Sequence, residues 1–223
     1  MTLTRRTDAL LHHQLRRWEE ASRSAEPRRC IAIASLPGAG GSELGRRVAE
    51  TLGFACFDRE IVDAIAARRG IPEEVLHALD GRVRSAVDRY FTDSFQGQRF
   101  TEDEFLKEVE RFVVPLARHG SAVFVGRGTA FLLAAEPALR VLALAPRASR
   151  LERFARERGL AADAADAALR REDDARIAFV RHHFGERLDD AGAYDLAVNV
   201  ASLGLDDAAG VVVEAWRRRF GRT

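Results

Sequence analysis

Short apolar runs and amphipathic segments alternate along most of this 223-residue chain. The apolar runs are rich in valine, isoleucine, leucine and alanine, and they predict β-strands. They lie at residues 31–34, 54–57, 122–125, 139–145 and 194–200. Apolar runs without alternation are typical of strands that are covered on both faces. The pattern therefore predicts an α/β fold built on a parallel sheet.

The segments between these runs have the period of helices. An N-terminal segment, residues 4–22, places Leu10, Leu15 and Trp18 on one side of a helix that precedes the first strand. A helix is predicted directly after the first strand, with Leu44, Val48 and Leu52 on one face. One more helix is predicted to begin at Pro72, and others at residues 60–70, 101–119, 129–135, 149–158, 161–184 and 206–220. The polar and aromatic residues 91–100 are typical of a loop.

The most informative stretch, residues 30–52, combines a strand, a glycine-rich turn and a helix. In that context Gly38, Gly40 and Gly41 allow backbone N–H groups to close around an anion at the positive end of the helix. The stretch therefore predicts a phosphate-binding loop. A tight turn without a ligand is the alternative interpretation.

This loop matches the phosphate-binding pattern GxxxxGK[ST] only in part. Ser35 replaces the first glycine and Gly40 holds the second, whereas Gly41 stands where the lysine belongs and Ser42 at the hydroxyl position. The chain contains one lysine, Lys107, far along the sequence. Any phosphate bound here must therefore be held by arginines and backbone amides.

Charged residues follow the predicted strands. Ligands of open α/β sheets bind at the carboxyl ends of the strands. Asp58 and Arg59 follow the second run, and Arg127 stands between two glycines after the third. Arg150 and Arg153 come just after the fourth run and share one face of a helix. These positions predict a cluster of positive charge at one edge of the sheet.

Arginine clusters of this kind suit phosphoryl transfer. The reaction needs positive charge around the migrating group and a lid that excludes water, and the planar guanidinium binds phosphate through two hydrogen bonds. A further charged cluster, residues 170–176, lies one helical segment later. For Arg158 and Arg170 a solvated helix face is the simpler interpretation. For Arg127, flanked by glycines at a strand end, we expect a functional role.

Composition limits the classes of protein that remain. Lysine plus arginine (35) nearly balance aspartate plus glutamate (34), which argues against a protein that binds nucleic acid or membrane surfaces through global charge. Two lone cysteines, Cys30 and Cys56, lack disulfide or metal-ligand spacing. The sequence has no apolar run of transmembrane length and no signal-peptide pattern, so a cytoplasmic location is expected.

The motifs occur in an order that resembles a known family. The glycine loop, FDREI (57–61), VFVGRG (123–128), a strand followed by RxxR, DDAR (173–176) and YDLAVN (194–199) together resemble the cytidylate kinase-like proteins, over about residues 30–215. The resemblance implies a three-layer α/β/α fold of the nucleoside-monophosphate-kinase P-loop type, with a five-stranded parallel sheet. It divides the chain into a helical extension (1–28) and a kinase-like domain (29–223), with an acceptor-binding lobe (58–119) and a lid (147–185).

The same resemblance implies an activity and a set of site residues. The activity is transfer of the γ-phosphoryl group of ATP to a nucleoside monophosphate such as CMP, with Mg²⁺. The donor phosphates would be held by Gly38, Ala39, Gly40, Gly41 and Ser42, with Ser42 also contacting the metal. The acceptor would be bound by Asp58, Arg59, Arg127 and Asp173. The catalytic arginines would be Arg127, Arg150, Arg153 and Arg176.

Departures from the family pattern keep other functions open. True cytidylate kinases carry the loop lysine, where this chain has Gly41, and an acidic residue where it has Val125. One alternative is a nucleotide-binding regulatory protein that has lost catalysis, and another is a kinase of a different small molecule. The expected partners are nucleotide substrates, with no nucleic acid and no membrane, and a homodimer through the N-terminal helix is a further hypothesis.

Overall fold

The structure, a computed structural model, describes residues 2–22, 29–58 and 102–221. The predictions that fall on residues 59–101 lie outside the described residues. They comprise Arg59, the helices at 60–70 and from Pro72, the loop at 91–100 and most of the acceptor-binding lobe.

Helices and strands alternate in the described part of the chain, close to the predicted positions. The strands are β1 (Ile31–Ser35), β2 (Ala55–Phe57), β3 (Ala122–Val125), β4 (Leu139–Leu144) and β5 (Leu196–Asn199). The helices are α1 (Thr2–Ser22), α2 (Gly41–Leu52), α3 (Glu102–His119), α4 (Thr129–Leu132), α5 (Arg147–Arg158), α6 (Ala162–Phe184), α7 (Val200–Leu203) and α8 (Leu205–Phe220), with a 3₁₀ turn at Ala191–Ala193.

The five strands form one parallel sheet in the order β2-β3-β1-β4-β5, which confirms the predicted fold. The central strand β1 pairs with β3 on one side and β4 on the other, so that Ile33 is level with both Val125 and Val141. The turns that follow β1 and β3 are therefore neighbours at the carboxyl edge of the sheet. This is where α/β sheets bind their ligands.

Apolar side chains on the two faces of the sheet build two cores. Along β1, Ile31 and Ile33 pack with α2 and α8, whereas Ala32 and Ala34 pack with the opposite layer. The first core includes Leu44, Val48, Ala208, Val212 and Trp216, and the second includes Leu15, Trp18, Phe112, Leu116 and Phe131. Because strand side chains alternate between the faces, continuous apolar runs fill both cores and give three layers.

Helix α1 packs on its own domain. Leu15 and Trp18 are buried, and the indole N–H of Trp18 donates to the carbonyl of Gly120 at 3.0 Å. The side-chain oxygen of Gln14 accepts from the backbone N–H of Cys56 at 2.8 Å. Since β2 is an edge strand of the sheet, this bond satisfies a backbone donor that an edge leaves open.

Strand β5 ends earlier than the predicted run, which extended to Val200. The side chain of Asn199 accepts hydrogen bonds from the backbone N–H groups of Ala201 and Ser202, both at 3.2 Å. Asn199 thereby caps α7, which begins at Val200. Helix α4 is also shorter than predicted, ending at Leu132.

A carboxylate at the start of β5 ties this strand to β4 and α8. The Asp195 side chain accepts from the backbone N–H of Arg140 at 2.8 Å and from the Arg219 guanidinium at 2.8 Å. Partial burial acts to raise the pKa of Asp195, but these two contacts outweigh it and hold the pKa below its usual value.

Candidate active site

A cleft of about 360 Å³ opens at the carboxyl ends of β1 and β3. One part of its wall is polar and charged, and the other is apolar and aromatic. The lining residues include Ser35, Ser42, Arg127, Thr129, Glu172 and Arg176 on the polar side, and Ala130, Phe131, Phe179, Val180 and Leu188 on the apolar side. A cleft with this mixture suits an anionic ligand that has an apolar or planar body.

The predicted glycine loop lies beside this cleft and has a left-handed backbone at two positions, Gly38 (φ 73°) and Gly40 (φ 85°). At Gly38 a side chain is excluded by space as well, because an added Cβ would lie 2.2 Å from the backbone oxygen of Arg150. The loop thus rests directly on α5. Its turn leads into the N-terminus of α2, where backbone N–H groups are free of intrahelical partners and suit an anion.

Ser35 and Gly41 are in close contact within the loop. A Cβ added at Gly41 would lie 2.3 Å from the Ser35 Oγ and 2.8 Å from the Ser35 Cβ. The serine that replaces the first glycine of the pattern thus occupies the space that a side chain at the lysine position would need. The two departures from the pattern are therefore sterically linked.

Arg127 lines the cleft from a strained turn between β3 and α4. Its φ is 53°, and both neighbours, Gly126 (φ 79°) and Gly128 (φ 73°), are left-handed as well. A left-handed backbone costs a residue with a Cβ about 1–2 kcal/mol. Strain of this kind is concentrated at functional sites, and this strained residue lines the cleft. The expected functional role of Arg127 remains a prediction.

Arg176 lines the cleft from α6. Its Nη1 donates to the backbone oxygen of Ser35 at 2.9 Å, which joins α6 to the start of the glycine loop. Phe179, one helical turn further on, and Phe131 contribute aromatic surface to the same wall. Phe179 could have been found from the sequence, because it lies three residues after Arg176 and so on the same helix face.

Arg150, which the family resemblance assigned to catalysis, and Asp173, which it assigned to acceptor binding, bind each other. The buried guanidinium of Arg150 donates to both carboxylate oxygens of Asp173 at 2.8–3.0 Å, and its Nη1 also donates to the carbonyl of Pro37 at 3.2 Å. Only 8% of the Arg150 side chain and 15% of the Asp173 side chain are exposed. The pair joins α5, α6 and the glycine loop, and neither residue is among the lining residues of the cleft.

Arg153 lies over the glycine loop from the same face of α5. Its Nη1 would be 1.8 Å from a Cβ added at Gly40, and the Val200 Cγ1 lies 3.4 Å from the same point. Within the described part of the chain, Nη1 is buried and has no hydrogen-bond partner. The guanidinium is thus held against the loop by packing.

Asp58 stands at the end of β2, as predicted, but is not among the lining residues of the cleft. It forms a long ion pair with Arg46, 3.9 Å between Nη1 and Oδ2. Its predicted contact with the acceptor remains a prediction.

The residues present allow a magnesium ion bound largely through phosphate and water. Among the described residues, no group of three or more His, Cys, Asp or Glu could hold a metal. The Ser42 side chain and the Glu172 carboxylate do line the cleft, although Glu172 also accepts from Arg158 at 2.9 Å. Since Mg²⁺ at phosphates often keeps only one or two protein ligands, this donor set fits the ion.

The sheet order, the glycine loop and the helical hairpin α5–α6 define a P-loop kinase fold. The solved structures that resemble this chain agree. An uncharacterized protein from Eubacterium ventriosum is 16% identical with a TM-score of 0.66, and covers 86% of this chain and 100% of its own. A shikimate kinase from Bacteroides thetaiotaomicron is 14% identical with a TM-score of 0.50, and covers 84% of this chain and 97% of its own.

The family assignment comes from the sequence. The model of the cytidylate kinase-like family matches residues 30–202, which is more than half of the chain. The protein therefore belongs to the cytidylate kinase-like family, as the motifs predicted. No significant match was found among proteins of curated function. Family and fold together support a kinase of a nucleotide or another small molecule.

Proposed function

We propose that this protein transfers the γ-phosphoryl group of ATP to a nucleoside monophosphate such as CMP. The observation that carries the proposal is the pair Arg127 and Arg176, which line one cleft from two different elements beside the glycine loop. Arg127 binds the acceptor phosphate, and Arg176 faces the phosphoryl group as it moves. The aromatic wall made by Phe131 and Phe179 accommodates the base.

The chemistry needs little beyond charge and position. An oxygen of the acceptor phosphate attacks the γ-phosphorus, the bond from that phosphorus to the β,γ-bridging oxygen breaks, and ADP leaves with the bridging oxygen. The attacking oxygen is already ionised near neutral pH, so no protein base has to remove a proton. Transfer then depends on alignment and on positive charge around the equatorial oxygens. The guanidinium groups of Arg127, in a strained turn, and of Arg176, which is bonded to the Ser35 carbonyl, would supply both.

The magnesium ion expected for such a kinase would be held by Ser42 and would neutralise charge on the donor phosphates. Ser42→Ala should therefore raise the Mg²⁺ concentration needed for half-maximal turnover. Ser202→Ala, which changes an exposed serine on α7, is the matched control. Equal Mg²⁺ dependence in Ser42→Ala and the wild type would contradict the alignment of the loop.

A coupled turnover assay tests the proposal. ATP and Mg²⁺ are offered with CMP, dCMP, UMP, AMP, GMP, gluconate and shikimate, and ATP binding is measured by calorimetry in parallel. We expect turnover with a pyrimidine nucleoside monophosphate, and a fall of about 100-fold or more in kcat/KM for Arg127→Ala, because a phosphate contact is lost at the reacting centre. Arg217→Ala, at an exposed arginine of α8, should leave turnover unchanged.

The second candidate is a nucleotide-binding regulatory protein without catalysis, and the observation that favours it is the loop itself. Gly41 removes the lysine, and the contact with Ser35 leaves no room for its return without a second change. ATP binding without turnover on any acceptor would support this candidate. Turnover with gluconate or shikimate would instead support the kinase of another small molecule.

Partners and location follow the same proposal. We propose nucleotides as the ligands, with neither nucleic acid nor membrane as a partner, and a cytoplasmic location. Among the helices in the described part of the chain, none is long and apolar enough to cross a membrane.

A homodimer through α1 would have to use the outer side of that helix, where Leu10 is 39% exposed, because Leu15 and Trp18 are buried in the domain. Leu10→Asp should then convert a dimer to a monomer in light scattering.

A further inference from the structure

The turn that carries Arg127 has a backbone conformation that most side chains avoid. Gly126, Arg127 and Gly128 are all left-handed, with φ of 79°, 53° and 73°. Because arginine has a Cβ, this conformation persists only where the surrounding structure holds the chain in it. The contacts of the two glycines therefore set the backbone from which the Arg127 side chain projects.

Gly126 is held through both of its backbone groups. Its N–H donates to the carbonyl of Ile33 in β1 at 2.9 Å. Its carbonyl accepts from the hydroxyl of Thr129 at 2.8 Å and from the backbone N–H of the same residue at 3.1 Å. Thr129 is buried, so water competes little for its hydroxyl. One buried side chain thus closes the turn across Arg127.

Gly128 is held by the last residue of α6. A Cβ added at Gly128 would lie 2.6 Å from Cε2 and 2.8 Å from Cζ of Phe184, so the ring rests directly on the backbone of the turn. The same ring stacks on Phe131 in α4, with 5.5 Å between the ring centroids and 27° between the ring planes. Phe184 thus packs against the turn and against α4, which begins directly after the turn.

We propose that Thr129 and Phe184 are positioning residues of the acceptor site, which hold the Arg127 turn in the backbone conformation that lines the cleft. This inference rests on the proposed function, in which the Arg127 guanidinium binds the acceptor phosphate. Thr129 acts through a hydrogen bond inside the turn, and Phe184 acts through packing from another helix. The two contacts fix the two neighbours of Arg127 from different sides of the chain.

Steady-state kinetics of the full chain with the best monophosphate acceptor tests Thr129. Thr129→Val keeps the shape and leaves the Gly126 carbonyl its backbone donor, so the variant should fold, which circular dichroism and thermal unfolding check. We expect kcat/KM to fall about 10- to 100-fold, since a small displacement at the reacting centre has an effect of this size. Thr129→Ser keeps the hydroxyl and should retain kcat/KM within about threefold.

The matched control is Thr51→Val. The hydroxyl of Thr51 also donates to a backbone carbonyl within its own helix, that of Arg47 at 2.9 Å, but it is exposed on α2. The same chemical change should leave kcat/KM within about twofold, as expected for a surface substitution.

A double-mutant cycle with Arg127→Ala separates positioning from direct contact with the substrate. If Thr129 acts through Arg127, Thr129→Val should have almost no further effect on kcat/KM in the Arg127→Ala background. Phe184→Leu should behave in the same way, with a fall of about tenfold on its own, and it carries the test if Thr129→Val does not fold. Equal losses in both backgrounds overturn the inference, because the residue would then act independently of Arg127.

The two substrates should respond differently. In Thr129→Val and Phe184→Leu the KM for the monophosphate should rise, whereas the affinity for ATP in calorimetry should stay within about twofold, since the changed contacts lie at the acceptor. A general loss of structure would instead weaken both substrates, and that result would overturn a positioning role.

The remaining outcomes separate this inference from the proposed function. Unchanged kcat/KM in a folded Thr129→Val or Phe184→Leu, with a fall in Arg127→Ala, overturns the inference for that residue and leaves the kinase proposal standing. Turnover that Arg127→Ala does not change overturns the inference as a whole. A wild-type protein without turnover overturns the proposed function, and calorimetry with CMP then decides the inference. The affinity for CMP has to fall in Arg127→Ala and in Thr129→Val alike and return in Thr129→Ser, whereas no binding of CMP overturns both proposals.

Discussion

The contact between Gly41 and Ser35 makes a stability prediction that needs no ligand. Gly41 opens α2 and is buried, so Gly41→Ala should by helix propensity alone gain about 0.5–1 kcal/mol. The new methyl group would, however, lie 2.3 Å from the Ser35 Oγ and 2.8 Å from the Ser35 Cβ. Rotation of the serine side chain relieves the first contact but not the second. Overpacking of this kind costs about 1–3 kcal/mol, so we expect a net loss of about 1 kcal/mol, within a range of about 0–2.5 kcal/mol.

A double-mutant cycle isolates the contact from the other effects. Ser35→Gly removes both clashing atoms, so Gly41→Ala should be neutral or stabilising in that background, and the coupling free energy should be about 1–3 kcal/mol. Urea unfolding followed by circular dichroism measures each free energy. The control is Gly210→Ala in α8, where a Cβ would meet no atom within 4 Å and should stabilise by about 0.5–1 kcal/mol.

Two results would refute this reasoning. One is a stabilising effect of Gly41→Ala similar to that of Gly210→Ala, which would mean that the loop accommodates a side chain. The other is a cycle that is additive within about 0.5 kcal/mol, which would mean that Ser35 is not the group in the way.

Three further predictions concern other parts of the fold. Trp18→Phe leaves the buried carbonyl of Gly120 without its donor and should cost about 1–3 kcal/mol in urea unfolding; an unchanged midpoint would refute the docking of α1. Burial raises the pKa of the Cys30 and Cys56 thiols to about 12, so only about one thiol in ten thousand is ionised at pH 8. A thiol reagent should therefore label the native protein far more slowly than the unfolded protein, and equally fast labelling would contradict the burial of these cysteines. The pKa of Asp195 is lowered in the folded state, so the stability that its carboxylate contributes is present above the ordinary carboxyl pKa and is lost as the pH falls through the lowered pKa. Asp195→Asn should therefore reduce the free energy of unfolding at pH 7 and flatten the decline of that free energy below about pH 4. Unchanged slopes would contradict the assigned contacts.

Local patterns in the sequence were sufficient for most elements of the fold. The five apolar runs all became strands of one parallel sheet, because a strand buried on both faces has to be apolar throughout. Gly53 and Gly120 directly follow α2 and α3, both with a left-handed backbone that glycine adopts at no steric cost. Arg127 lies at the predicted edge of the sheet for a similar reason, since its position directly after a strand follows from that strand.

The sequence determined where the charged groups stand along the chain, but only the tertiary structure decided which of them meet. The resemblance assigned Arg150 to catalysis and Asp173 to acceptor binding, yet packing of α5 on α6 brings them together as a buried ion pair. The spacing of 23 residues carries no signal of that contact, because it depends on how two helices cross. The same holds for Ser35 and Gly41, whose close approach arises from the curve of the loop. Periodicity and backbone preference are local and can be read along the chain, whereas side-chain partnership depends on distances that arise only when the layers pack.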